Sequence, residues 1–180
     1  MKIWIAGHMG MVGSALTLLL KKKYEVVYTK SRKELDLTNL LEVRKFLGSI
    51  DCDWIFIVAG KVGGIEANMK FPLDFLYENL MINNNILRAA FEENIKKVLV
   101  LGSSCMYPKN SPQPIKETEI LSGPVEKTNE GYALSKILST KLAEFYSHQF
   151  STNFISVIPS ATFGPNDNFS SSLNHVIPSL

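Results

Sequence analysis

The chain has 180 residues, 46% hydrophobic and 20% charged, with 19 basic and 17 acidic side chains and a net charge of +2. That balance suits one soluble globular domain with a sizeable core, and it excludes an acidic disordered tail or a basic block that would grip nucleic acid. The two cysteines, Cys52 and Cys105, stand in unrelated contexts without metal-ligand spacing. A reducing compartment, the cytoplasm, is therefore expected rather than a disulfide scaffold.

Lys2 to Ala6 (KIWIA) reads as a buried strand and Met11 to Lys22 as a helix. Ile3 to Leu20 is uncharged apart from a possible proton on His8, and Lys21 to Lys23 follow, so a signal peptide or membrane anchor is the competing reading. Three glycines and a histidine interrupt the stretch and divide it into strand-like and helix-like runs, so no membrane association is expected. Tyr24 to Thr29 is a second strand. Thr38 to Gly48 is a helix with Thr38 as N-cap and Gly48 as stop. Asp53 to Ala59 is a third strand, and Pro72 to Asn94 a long helix with proline in its first turn. Lys97 to Leu101 is a fourth strand, Tyr132 to Phe150 a second long helix, and Phe154 to Ile158 a fifth strand.

Short, continuously apolar strands separated by helices predict a doubly wound parallel sheet of the Rossmann type, α/β with helices on both faces. Two long loops, Gly60 to Phe71 and Ser103 to Gly131, follow strand C-terminal ends, where open α/β sheets bind ligands. The first strand and first helix enclose GHMGMVG, with Gly7, Gly10 and Gly13. Gly7 permits the tight turn, Gly10 lets the backbone approach a pyrophosphate, and Gly13 allows helix–strand packing. The helix N-terminus at Met11 and Val12 then offers free N–H groups to phosphate. Past the second strand, TKSRKEL places Lys30, Ser31, Arg32 and Lys33 ahead of the first acid, Glu34. A guanidinium there suits a 2′-phosphate, which favours NADP (NADPH) over NAD. Asp36 either accepts from the adenine amino group or helps start the following helix. In TNEGYALSK, Tyr132 and Lys136 lie one helical turn apart on one face, where an ammonium favours the phenolate.

The stretches GHMGMVGSA, SRKELDLTN, KVGGIEAN, ENLMINNNIL, LGSSCMYPK, TNEGYALSK and GPNDNF…NHVIP run in order through essentially the whole chain. On them the sequence resembles the extended short-chain dehydrogenase/reductases, and more narrowly the GDP-L-fucose synthases, a family of GDP-4-keto-6-deoxy-mannose epimerase-reductases. The resemblance implies NADPH-dependent epimerisation and reduction of a GDP-4-keto-6-deoxy-hexose. It implies that Ser103 hydrogen-bonds the substrate carbonyl and that Tyr132 protonates the oxygen formed on reduction. It implies that Lys136 holds the nicotinamide ribose and lowers the phenol pKa, and that Cys105 and His175 invert the two carbons flanking the ketone. Cys105 alone would read as a small buried hydrophobe, and His175 alone as a polar loop residue. His8 is expected beside the cofactor, His148 in solvent, and Cys52 in a structural role.

The two long helices carry more apolar positions than one sheet face needs, among them Phe75, Leu76, Leu80, Met81 and Ile86. Relatives in the family pair such helices across subunits, so a homodimer is expected, with plain core packing as the alternative. Met9, Gly60, Gly131 and Ala161 depart from the family pattern, and Gly131 is expected to loosen the turn before Tyr132. The resemblance also implies a smaller C-terminal substrate domain. Because the chain stops at Leu180, residues 1–180 are expected to be the NADP-binding domain carrying the catalytic residues, without that second domain. The other readings are a related enzyme acting on a different sugar and a non-catalytic NADP-binding fragment.

Overall fold

A computed structural model describes residues 1–167. Five parallel strands form one sheet in the order β2-β1-β3-β4-β5. They are β1 (Lys2–Ala6), β2 (Val26–Thr29), β3 (Trp54–Ile57), β4 (Lys97–Leu101) and β5 (Asn153–Val157). The helices are α1 (Met11–Lys21), α2 (Leu40–Gly48), α3 (Ile65–Lys70), α4 (Pro72–Glu92) and α5 (Glu130–Phe150). The expected α/β layout is the observed one.

Alternation along the strands assigns the two faces. Trp4, Ala6, Ile55, Ile57, Val98, Val100 and Phe154 face α2, α4 and α5, which contribute Val43, Leu47, Ile86, Leu87, Ala90 and Ala143 to the larger core. Ile3, Ile5, Trp54 and Phe56 point the other way, onto Leu16 and Leu20 of α1. Burial on both faces explains why β1 reads as an unbroken apolar run rather than an alternating one. β5 is an edge of the described sheet, and Ile155 and Val157 on its α1 side remain exposed. Strand order reverses between β1 and β3, so a crevice opens at their C-terminal ends, the usual ligand position in such sheets.

Three expectations needed correction. Thr38 does not cap α2: Asn39 does, its side chain accepting from the amides of Leu41 and Glu42 at 3.1 and 3.4 Å. Thr38 instead donates through its backbone and hydroxyl to Asp36, so the carboxamide one position later meets the free N–H groups. Gly60 to Phe71 is not a bare loop, since Ile65–Lys70 forms α3. The Ser103 to Gly131 loop is tightened by 3-10 turns at Ser104–Met106, Glu117–Glu119 and Lys127–Asn129, and α5 begins two residues before Tyr132. Among the described residues no helix is long and apolar enough to cross a membrane.

Candidate active site

The glycine loop forms one wall of a cleft of about 240 Å³ at the β1–β3 switch point. Gly7 has φ +100°, and a Cβ there would lie 2.5 Å from the Ala59 amide, so only glycine permits the turn. A Cβ on Gly13 would sit 2.0 Å from the Gly7 carbonyl oxygen, which is how closely α1 presses on that turn. Gly10 differs: a Cβ would meet nothing nearer than 3.6 Å, and no side chain caps α1. The first amides of α1, at Met11, Val12 and Gly13, have no partner within the helix and stand behind that open space. These residues fit a dinucleotide pyrophosphate, as a cradle that a side chain at position 10 would fill.

The rest of the cleft is polar. His8 and Met9 line it with Lys30, Ser31, Arg32 and Asp36 from the segment after β2, and Gly60, Lys61 and Glu78 close the opposite side. Arg32 is highly exposed and reaches Glu78 at 3.4 Å. Glu78 also takes Lys61 at 2.6 Å, and Asp74 takes the same ammonium at 3.1 Å. Asp36 accepts two hydrogen bonds from Thr38, which with the nearby Arg32 charge hold its carboxyl below the usual range. Asp36 therefore orders the turn ahead of α2, whose cap is Asn39, and it also lines the cleft. Glu34 turns back to accept from the amide and hydroxyl of Ser31, which hold its carboxyl down to about 2.

The second group of predicted residues converges at the C-terminal end of β4. Ser103 starts the Ser104–Met106 turn, and its Oγ accepts from the Cys105 amide at 3.3 Å. Asn129 Nδ2 donates to Cys105 Sγ at 3.1 Å. Lys136 is buried, donates to the Leu101 carbonyl at 2.9 Å, and lies 5.7 Å from the centroid of the Tyr132 ring. It lies next to Gly60 of the cleft wall, where a Cβ would come 3.8 Å from its Nζ. Ser103, Cys105, Tyr132 and Lys136 thus stand together at the C-terminal end of β4, with Lys136 next to Gly60. His175 lies outside the described residues. His148 is exposed and Cys52 is buried, as expected of residues with no part in the site.

One electrostatic expectation fails. The Lys136 ammonium was to pull the Tyr132 phenol down, yet the phenol is pushed up to about 12, first by burial and then by the charge at Cys105, with Ser103 opposing. Burial also brings Lys136 down to about 8. Both groups shift toward their neutral forms because the site is dry and the ammonium is spent on a carbonyl. Nor does Gly131 loosen the approach to Tyr132. A Cβ there would lie 2.3 Å from the Pro72 carbonyl oxygen, so glycine allows α5 to start hard against α4.

Sequence reasoning missed Asn79. This fully buried side chain accepts from the Lys61 amide at 2.7 Å and donates to the carbonyls of Lys61 and Phe75 at 3.0 and 2.7 Å. It fixes the backbone next to Gly60. The available signal was the run of amides, Asn79, Asn83 and Asn85, among apolar core-facing positions of α4.

A family model described as the NAD dependent epimerase/dehydratase family matches residues 3–180. The GDP-L-fucose synthase of Escherichia coli (strain K12) is 46% identical over 180 residues, covering 99% of this chain and 56% of that protein. The GDP-L-colitose synthase of Yersinia pseudotuberculosis is 42% identical over 100% of this chain and 59% of its own length. The crystal structure of CJ1428, a GDP-D-glycero-L-gluco-heptose synthase from Campylobacter jejuni in the presence of NADPH, superposes with a TM-score of 0.92 at 37% identity, over 99% of this chain and 52% of that one. The chain spans about half the length of the curated relatives it matches. The motif-based resemblance and these relatives agree, and with the glycine-lined crevice they show that the chain belongs to the NAD dependent epimerase/dehydratase family.

Proposed function

We propose that this chain carries the cofactor site and catalytic residues of an NADPH-dependent enzyme that epimerises and reduces a GDP-4-keto-6-deoxy-hexose. The observation that carries the reading is the gathering of Ser103, Cys105, Tyr132 and Lys136 at the end of β4, against the cleft wall formed by Gly60. Similarity to GDP-sugar synthases supports the substrate class. The amides of Met11, Val12 and Gly13 would hold the pyrophosphate, Arg32 the 2′-phosphate, and Lys136 the ribose. When bound, the reduced dinucleotide supplies hydride.

Epimerisation uses the acidity of the carbons flanking the ketone. Cys105 sulfur takes the proton from such a carbon. The C–H pair moves toward the carbonyl oxygen, where Ser103 and Tyr132 stabilise the enolate by hydrogen bonding. His175 returns a proton on the other face. In the reductive step Tyr132 donates its proton to the developing alkoxide. A phenol held near 12 is in its donor form throughout the neutral range, so the raised value suits this task. Solvent deuterium incorporation into the keto sugar tests the first half: Cys105→Ser should cut exchange at least about a hundredfold. Exchange at the full rate in that variant would defeat the assignment.

Arg32 gives a separate test. Its pairing with Glu78 is exposed, the kind of ion pair worth about 0–1 kcal/mol, so a phosphate dianion can displace it. Arg32→Ala should weaken NADP about tenfold or more while leaving NAD nearly unchanged, as read by fluorescence titration. Equal losses for both nucleotides would remove Arg32 from the phosphate site.

The same reading takes the active form as a homodimer. Leu73 and Tyr77 on α4, with Leu138 and Phe145 on α5, stay exposed on two helices that pack side by side, which supports pairing with a second copy. Two unbridged cysteines suit a cytoplasmic setting.

A further inference from the structure

Asn129 is the N-cap residue of α5, where an asparagine ordinarily turns its side-chain oxygen onto the first free amides of the helix. Here it makes no such contact. Its Nδ2 is directed at Cys105 Sγ, 3.1 Å away, and its Oδ1 is buried with no hydrogen-bond partner among the described residues. A helix cap and a satisfied amide oxygen are both given up for one contact to sulfur, and such local conflicts concentrate at functional sites. The contact is built from both sides. Glu126 accepts from the Thr128 amide at 3.4 Å and pairs with Lys109 at 2.9 Å, which pins the Lys127–Asn129 turn. Ser103 Oγ fixes the Cys105 backbone from the other direction. The Cys105 charge in turn acts on the phenol of Tyr132.

We propose that Asn129 is a positioning residue for Cys105: its amide N–H holds the sulfur and favours the thiolate, and its buried oxygen receives the S–H after a proton has been taken up and the amide has turned over. The inference rests on the reading of Cys105 as the acid–base group in epimerisation. Such a group must exist in two protonation states, and one amide offers a donor to the first and an acceptor to the second. During the step a substrate C–H bond breaks, an S–H bond forms, and the electron pair remains on the sugar as enolate.

The test is alkylation of Cys105 by iodoacetamide as a function of pH, mapped by mass spectrometry, with no nucleotide or sugar added. The reagent attacks the thiolate, so the rate follows the thiolate fraction. Cys52 is a control in the same molecule, because burial pushes that thiol up to about 11. Asn129→Leu should slow Cys105 alkylation about tenfold or more at neutral pH and move the inflection upward, as expected for the loss of a hydrogen bond to a charged group. Asn129→Asp should shift the profile in the same direction, and as a good N-cap of nearly equal volume it preserves the start of α5 if leucine does not. Profiles unmoved in the folded variants would overturn the proposal. The Cys105→Ser exchange experiment is independent. Full exchange there with shifted alkylation here removes the epimerase reading and leaves the Asn129–Cys105 coupling intact. Lost exchange with unmoved alkylation does the reverse.

Discussion

Tyr132→Phe should lower ketone reduction by about 10²- to 10⁴-fold while dinucleotide affinity stays close to the original. The substitution removes one hydroxyl and keeps the ring, so Lys136 retains its aromatic neighbour 5.7 Å away and its hydrogen bond to Leu101. On the proposed mechanism, what would disappear is the proton delivered to the alkoxide and one of two donors to the ketone oxygen. Reduction is followed as loss of nicotinamide absorbance with the GDP-keto sugar, and affinity as fluorescence quenching. The pH profile adds a sign. Tyr132 keeps its proton until about 12, whereas Lys136 loses its charge as pH rises through about 8. Activity should therefore fall on an alkaline limb near 8, set by loss of the ammonium. Undiminished turnover in Tyr132→Phe would end the assignment of the proton donor.

Gly13→Ala should be among the most damaging single methyls in the described residues. The added Cβ would meet the Gly7 carbonyl oxygen at 2.0 Å, the Gly7 carbonyl carbon at 2.7 Å and the His8 Cα at 2.9 Å, all of them backbone. The turn cannot retreat, because Gly7 is itself wedged against the Ala59 amide. Overpacking costs about 1–3 kcal/mol, occasionally more, and a backbone clash this close belongs at the upper end, above the helix-propensity gain of roughly 1 kcal/mol for alanine over glycine. At roughly 2–4 °C per kcal/mol for a chain of this size, the melting temperature should fall by several degrees, and dinucleotide binding should weaken sharply. Gly10→Ala is the informative contrast. Open space receives that methyl, so the fold should hold while binding drops. If the two variants melted alike and bound alike, the turn would not be built as described.

The strands and the glycine turn were legible because their signals are local: β1 is apolar from Ile3 to Ala6, and the glycines at 7 and 13 mark a backbone that side chains would obstruct, while Gly10 leaves space open between them. The cap of α2 was misplaced by one residue because Thr38 and Asn39 are both good caps, and only the geometry of Asp36 decides between them. α3 was missed because six residues carry too little periodicity to stand out from a loop. In the site, residue types and proximity were readable, but the charge state was not. Spacing placed Tyr132 beside Lys136, whereas the depth of the pair and the carbonyl of Leu101, which together determine how both titrate, come from elements distant in sequence. Asn129 and Asn79 escaped for a similar reason, since each acts on a residue that only the folded chain brings close.

The bond made by Asn79 has one more consequence. By meeting both the N–H and the C=O of Lys61, the carboxamide imitates a neighbouring strand one residue long, four residues past the end of β3. The chain is moored at that point, so a displacement of the stretch beyond it, through Val62 and into α3, is not passed directly along the backbone to the floor of the crevice.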